Sequence, residues 1–223
     1  MHGMPERTYA YGAPYAEERA ISTAQLLGQV MFLVAVGLGF LTLGTQIGKD
    51  LELGTARLCS FAGFGMLLIG SFAGRRFRVG TFAMGWYFAT ALLIGIGLGP
   101  VIQYFATVEP GTLTQAAGAT ALIVVGCGAT GFALSKDLRR WMRPLSLIVL
   151  GLVLVSLVMV FTGGGGNPIL SLAIGGVSAL LIVVDFNYLR KHGDADDAIW
   201  LATGIFVSIV NIFLSLLNLF SSD

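Results

Sequence analysis

Long charge-free runs, separated by short charged segments, dominate the chain. They are Ala20–Gly48, Leu58–Gly74, Val79–Val108, Pro110–Ser135, Pro144–Val184 and Ala198–Ser222. A helix that crosses a bilayer needs roughly 20 mostly apolar residues. The Pro144–Val184 run is too long for one crossing. It is interrupted by Gly163-Gly164-Gly165-Gly166-Asn167-Pro168, a strong turn signal. The pattern predicts seven spans, at about 24–47, 55–74, 79–102, 113–134, 144–162, 168–189 and 199–220, within one transmembrane domain over 21–223. All seven are expected to be helices, because a lone span must satisfy its backbone hydrogen bonds internally. The alternating ten-residue strands of a membrane barrel are absent. Residues 1–20, MHGMPERTYAYGAPYAEERA, are polar and mixed in charge. They are expected to form a flexible tail. A signal peptide would show a basic start, a short apolar run and a small-residue cleavage site.

Composition agrees with the pattern. Of the 223 residues, 56% are hydrophobic and 11% charged, against about 25% charged in a soluble domain. The net charge of +1 excludes a strongly basic nucleic-acid binder. Cys59 and Cys127 fall in apolar stretches and imply no disulfide framework. Charge also sets an expected orientation. Of the 13 basic residues, all but Lys49 and Arg57 fall in the tail and in the loops after spans two, four and six. That asymmetry places the N-terminus in the cytoplasm and the C-terminus outside.

Most seven-helix chemistries are excluded by what is missing. A retinal protein needs a Schiff-base lysine in its last helix, and span seven has none. Haem ligation and Ser–His proteolysis need membrane-embedded histidine, but His2 and His192 both lie outside the spans. No zinc motif, phosphate loop or paired-cysteine spacing occurs. An enzyme is not expected.

Span seven carries the clearest internal signal. Gly204, Ser208, Asn211, Ser215, Asn218 and Ser222 recur at alternating spacings of four and three, which is one face of a helix. Lipid would not solvate Asn211, so the stripe is expected to face the bundle or a polar cavity. Span six offers a matching stripe of Ser171, Gly175, Ser178, Ile182 and Asp185. Both stripes read first as tight packing with interhelical hydrogen bonds, and alternatively as the wall of a polar cavity or ion path. Asp185 is the one carboxylate well inside a predicted span, and an intramembrane acid is a functional candidate by default. Protonation there is a candidate gate. Arg190 and Lys191 lie about one turn away and offer pairing or snorkelling instead. The aspartates of His192-Gly193-Asp194-Ala195-Asp196-Asp197 are expected to cap span seven rather than to bind calcium. Lys136-Asp137 reads as an interfacial ion pair. Arg75, Arg76 and Arg78 read as an anchor facing anionic lipid. The glycines at 95, 97, 99, 126 and 128 are expected to allow close helix contacts.

Several segments together carry a family resemblance. Asp185 near the end of span six is followed by a short charged loop and by Phe206-Val207-Ser208-Ile209-Val210-Asn211-Ile212-Phe213-Leu214-Ser215-Leu216-Leu217. Upstream lie Leu98-Gly99-Pro100-Val101-Ile102, then Ala119-Thr120-Ala121-Leu122 and Ser135-Lys136-Asp137. In order and spacing, from about Ile21 to the end, the chain resembles the Bax inhibitor-1 family, and more narrowly its YccA-type bacterial members. The resemblance implies a bundle in which a central helix is wrapped by two three-helix layers. It also implies a bacterial inner-membrane location. Family members are associated with a pH-sensitive calcium leak, in which an acid of span six pairs with an acid of span seven. Asp185 matches the first, and Ser208 stands where the second would be, so the two-carboxylate gate is incomplete. YccA-type members, which also look this way at that point, are membrane partners and modulating substrates of the FtsH quality-control protease.

Three functional expectations result. The first is a modulator of a membrane-bound ATP-dependent protease of the FtsH type and its scaffold proteins, engaged through a tail carrying Arg7, Tyr9, Tyr11 and Tyr15. The second is a calcium or cation leak around Asp185, Ser208, Asn211, Ser178 and Ser215. Calcium would then be cargo, with no resident cofactor or metal. The third is a structural subunit of a larger membrane complex.

Overall fold

The computed structural model describes residues 21–161 and 166–221. The tail residues Arg7, Tyr9, Tyr11 and Tyr15, and the glycines at 163–165, lie outside the described residues. Among the described residues there are no strands, and seven helices are long and apolar enough to cross a membrane. They are α1 (Thr23–Gly48), α2 (Leu53–Phe72), α3 (Gly80–Val108), α4 (Pro110–Ala133), α5 (Arg139–Phe161), α6 (Pro168–His192) and α7 (Ala198–Phe220).

Local chemistry sets the ends. Ser22 opens α1 with a capping box. Its Oγ accepts from the Gln25 backbone N–H at 3.2 Å, and Gln25 Oε1 accepts from the Ser22 N–H at 3.1 Å. Asn167 opens α6 by accepting from the N–H groups of Ile169 and Leu170. The third helix runs past its predicted end at 102, through Pro100, to Val108. A proline inside a membrane helix removes one ladder bond that neighbouring groups can re-satisfy. The chain breaks instead at Glu109, and Pro110 starts α4 at the helix position proline tolerates best. The fifth helix begins earlier than expected, at Arg139, so its first turn is charged.

Packing follows the implied layering. Helices α1 and α2 both rest on α3, while α4 and α5 both rest on α6. Helix α7 lies between the layers, against α1, α4 and α6. The core centres on it: Leu201, Ile205, Phe206, Ile212 and Leu217 are buried, together with Leu26 and Val30 of α1 and Ile182 and Leu189 of α6. Between α1 and α3 the backbones themselves touch. A Cβ on Gly44 would lie 2.8 Å from the Ile96 nitrogen, and one on Gly95 would lie 2.9 Å from the Leu41 carbonyl carbon. Gly48 and Gly99 continue the seam one turn on. With little hydrophobic drive between helices in lipid, such small-residue approaches supply the dispersion contact that joins them. Gly97 is likewise pressed against α2, and Gly128 against Phe186. Gly126 is not part of any such contact, because its open side meets nothing within 4 Å.

The α4–α5 connection is tied down from α6, most of all by Asn187. Asn187 of α6 is fully buried. Its Nδ2 is shared among the carbonyls of Gly131, Leu134 and Lys136 at 3.1–3.2 Å, and its Oδ1 accepts from the Leu138 N–H at 3.0 Å. Gly131 and Leu134 belong to the C-terminal end of α4, where carbonyls lack helical partners, and Lys136 lies in the connection beyond it. Asn187→Ala leaves several buried polar groups unpaired. It is expected to cost about 2–4 kcal/mol, read as a lowered unfolding midpoint in detergent.

Candidate functional site

The polar stripes of α6 and α7 face each other. Asn218 Nδ2 donates to Ser171 Oγ at 2.7 Å. A Cβ on Gly175 would sit 3.0 Å from Ser215 Cβ, and one on Gly204 would sit 3.3 Å from Asp185 Oδ2. The helices are antiparallel, so this register places Ser178 level with Asn211 and Ile182 level with Ser208. The small residues at 175 and 204 let the two helices close on each other. The polar residues between them are thereby held off the lipid.

Two cavities border this seam. The larger, about 340 Å³, lies between α2 and α5, with Asp185, Gly204, Ser208 and Asn211 on its wall. The smaller, about 210 Å³, is more polar and is lined by Ser156, Asn167, Ser171, Asn211, Ser215 and Asn218. Val153, Leu157, Asn211 and Leu214 line both. The larger cavity reaches Arg78 and Trp200 at the end of the bundle bearing the basic loops, and the smaller reaches Asn167 at the other end. The pair therefore traces most of the bundle's thickness, with Asn211 at the join.

Asp185 is 6% exposed. Among the described residues the two ion pairs are Arg75–Asp196 and His192–Asp137, and neither involves Asp185. The neighbouring cations turn elsewhere. Arg190 donates to the Leu134 carbonyl at 2.6 Å, and Lys191 donates to the Ser135 carbonyl. Snorkelling toward them is thus not what Asp185 does. Its carboxylate is instead held in a cavity wall beside Gly204. The Ser208 hydroxyl and the Asn211 amide line the same wall one and two turns beyond Gly204 along α7.

The other candidates divide. Ser208 is 2% exposed and lines the larger cavity, Ser215 lines the smaller, and Asn211 lines both. Ser178 is fully buried, lines neither, and its Oγ has no hydrogen-bond partner among the described residues. It belongs to the packed seam. No cluster of three or more His, Cys, Asp or Glu suited to a metal occurs among the described residues. Arg78 lines the larger cavity, whereas Asn187 faces the α4–α5 connection and lines neither cavity. No sequence signal separates Arg78 from Arg75 and Arg76, and Asn187 stands two positions after the more conspicuous Asp185. An asparagine inside an apolar run needs partners, and that was the available signal for Asn187.

The loops on the basic side are laced together. Asp194 caps a short 3-10 turn, Ala195–Asp197, that precedes α7, and Asp197 makes no side-chain cap to α7 itself. Asp196 is taken by Arg75 at 2.7 Å, so Arg75 holds a partner loop rather than serving as a lipid anchor alone. Asp137 pairs with His192 at 2.7 Å rather than with Lys136. A backbone hydrogen bond from Arg139 and the bond to His192 hold the Asp137 carboxyl below its ordinary range. A carboxylate whose folded pKa is depressed contributes stability above its ordinary range, and loses it as pH falls through that range and below. Asp137→Asn is therefore expected to lower the unfolding midpoint at neutral pH, with the gap to the parent closing in strong acid.

The chain has relatives among bacterial membrane proteins. A protein of Vibrio cholerae described only as a membrane protein is 29% identical over 140 residues, covering 60% of this chain and 61% of that protein. An uncharacterised protein of Pseudomonas aeruginosa is 27% identical over 229 residues, covering 97% of each. With its seven apolar helices, the chain is an integral protein of a bacterial membrane, with the inner membrane as its expected location. Residues 23–223 match the family described as inhibitor of apoptosis-promoting Bax1. The chain belongs to the Bax inhibitor-1 family.

Proposed function

We propose that this protein is a cation leak, with calcium as the cargo, in which a proton and a cation compete for Asp185. One observation carries the reading. Two cavities reaching opposite ends of the bundle meet at Asn211, and among the described residues the one carboxylate on their walls belongs to Asp185. Calcium takes six to eight oxygen ligands. One carboxylate with serine and asparagine oxygens offers fewer, and those weakly held, which suits passage better than storage. The distribution of basic residues supports a cytoplasmic N-terminus, so the larger cavity would face the cytoplasm. The test is calcium flux into liposomes holding the purified protein, followed across the acid-to-neutral range. Flux above that of empty vesicles, varying with pH, is expected. Flux equal to that of empty vesicles overturns the reading.

A second reading draws on Met1–Ala20, which is polar, mixed in charge and carries Arg7, Tyr9, Tyr11 and Tyr15. Its composition suits a segment engaged by a cytoplasmic ATP-dependent protease of the FtsH type, as the YccA-type resemblance implies. Deleting Met1–Glu18 is then expected to abolish co-purification of the protease and its scaffold proteins from native membranes. Undiminished recovery would remove the tail from the account.

A further inference from the structure

The larger cavity has a second aspect. Its long walls are α2 and α5, which rest on different partners and make at most sparse contact with each other. The cleft between them is lined mainly by apolar side chains such as Phe64, Leu67, Leu150 and Val153. Along α7 it runs from Trp200 to Leu214, roughly 20 Å at 1.5 Å per residue. One leaflet's share of the hydrocarbon core is about 15 Å, so the cleft has the length of an acyl chain. A void of about 340 Å³ with apolar walls leaves its lining atoms without dispersion partners, and such walls hold water poorly. In a bilayer, hydrocarbon is the solvent at hand to fill it.

The mouth of the cleft is positively charged. Arg75, Arg76 and Arg78 stand in the α2–α3 connection. Arg75 pairs with Asp196, and the Arg76 guanidinium lies 4.6 Å from the centre of the Phe82 ring; neither lines the cleft. Arg78 lines the cleft itself, and among the described residues its one hydrogen bond is from Nη2 to the Ser71 carbonyl at 3.2 Å. A guanidinium has five donors in a planar fork that matches phosphate oxygens. Charge and length thus agree on one occupant. We infer that the α2–α5 cleft is a binding site for one acyl chain of an anionic phospholipid, with the lipid phosphate held at Arg78. The site shares its cavity with the proposed cation path, so an acyl chain and a cation would exclude each other there, and its test needs no flux measurement.

The experiment uses the full chain in nanodiscs containing phosphatidylglycerol whose acyl chain carries a photoreactive diazirine. Cross-links are expected to concentrate on cleft residues such as Leu67, Leu150 and Val153, over outward residues of α4 such as Leu122 and Val125. In parallel, native mass spectrometry in mild detergent is expected to retain one phosphatidylglycerol in preference to phosphatidylcholine. Arg78→Gln is expected to weaken that retention roughly fivefold, the weight of one basic residue facing an anionic headgroup. Leu150→Trp, which fills the cleft, is expected to remove the adduct. Cross-links spread evenly over all outward faces overturn the site, whatever the variants do. So does equal retention of the two lipids unaffected by Arg78→Gln, or cross-linking of the cleft to a second polypeptide in native membranes with no lipid adduct.

Discussion

Asp185→Asn is expected to slow cation flux by about tenfold or more and to flatten its dependence on pH. Asparagine keeps the shape and removes the charge. A cation about 4 Å from a carboxylate gains on the order of 4 kcal/mol at an effective dielectric near 20. Losing even a third of that at the rate-limiting position corresponds to about tenfold. No ion-paired partner of Asp185 is present among the described residues, so no second charge is left stranded by the change. The variant is accordingly expected to unfold at or above the temperature of the parent, which separates loss of flux from loss of fold. The pH dependence is expected to vanish because the amide has no proton to exchange. Liposome flux for the two proteins at acid and neutral pH checks both points. An Asp185→Asn protein that conducts like the parent and keeps its pH response would place the gate elsewhere.

The position of Ser208 sharpens this expectation. It lines the same cavity as Asp185, one helical turn along from Gly204, whose open side faces the carboxylate. A second acid there would share a proton with Asp185 and split the titration into two coupled steps. With serine, one group titrates, so the pH response of the parent is expected to follow a single proton.

Some of this arrangement was legible in the sequence, and some was not, for physical reasons. The seven helices were readable because lipid imposes a length and an apolar composition on every crossing. The α6–α7 stripes were readable because helical spacing puts Ser171, Gly175 and Asp185 on one face, and Gly204, Ser215 and Asn218 on one face of the next helix. Their meeting depended on register, which Gly175 and Gly204 set through close approach. The partners of charged loop residues were not readable. Asp137 lies next to Lys136 in sequence, yet bonds to His192 at the C-terminal end of α6, which only the fold brings near. Nor was the cleft. It exists because α2 and α5 pack on different helices, a property of three-dimensional arrangement that neither helix's own sequence carries.

Glycine content shows the same limit, and replacing Gly95 by leucine is expected to have the largest effect on the fold. The obstacle at Gly95 is backbone: a Cβ there would lie 2.9 Å from the Leu41 carbonyl carbon and 3.0 Å from its Cα. No rotamer change relieves such a contact, so α1 and α3 must separate. Overpacking a core ordinarily costs about 1–3 kcal/mol. Here the separation also opens the contacts of Gly44, Gly48 and Gly99 along the seam, so the cost is expected to exceed that range. Tyr87 would move with α3. Its hydroxyl lodges over Gly37 and donates to the Leu33 carbonyl at 3.2 Å, and its ring meets Phe206 of α7 at 5.5 Å. Displacing α3 therefore displaces a wall of the larger cavity. Gly95→Leu is expected to yield little monodisperse protein in mild detergent. Gly126→Leu is the matched comparison, because its open side meets nothing within 4 Å. There leucine is expected to be tolerated, with helix propensity favouring it by up to about 1 kcal/mol. Equal yields from the two variants would mean that the α1–α3 seam gives way easily, and that Tyr87 is held in place by α7 alone.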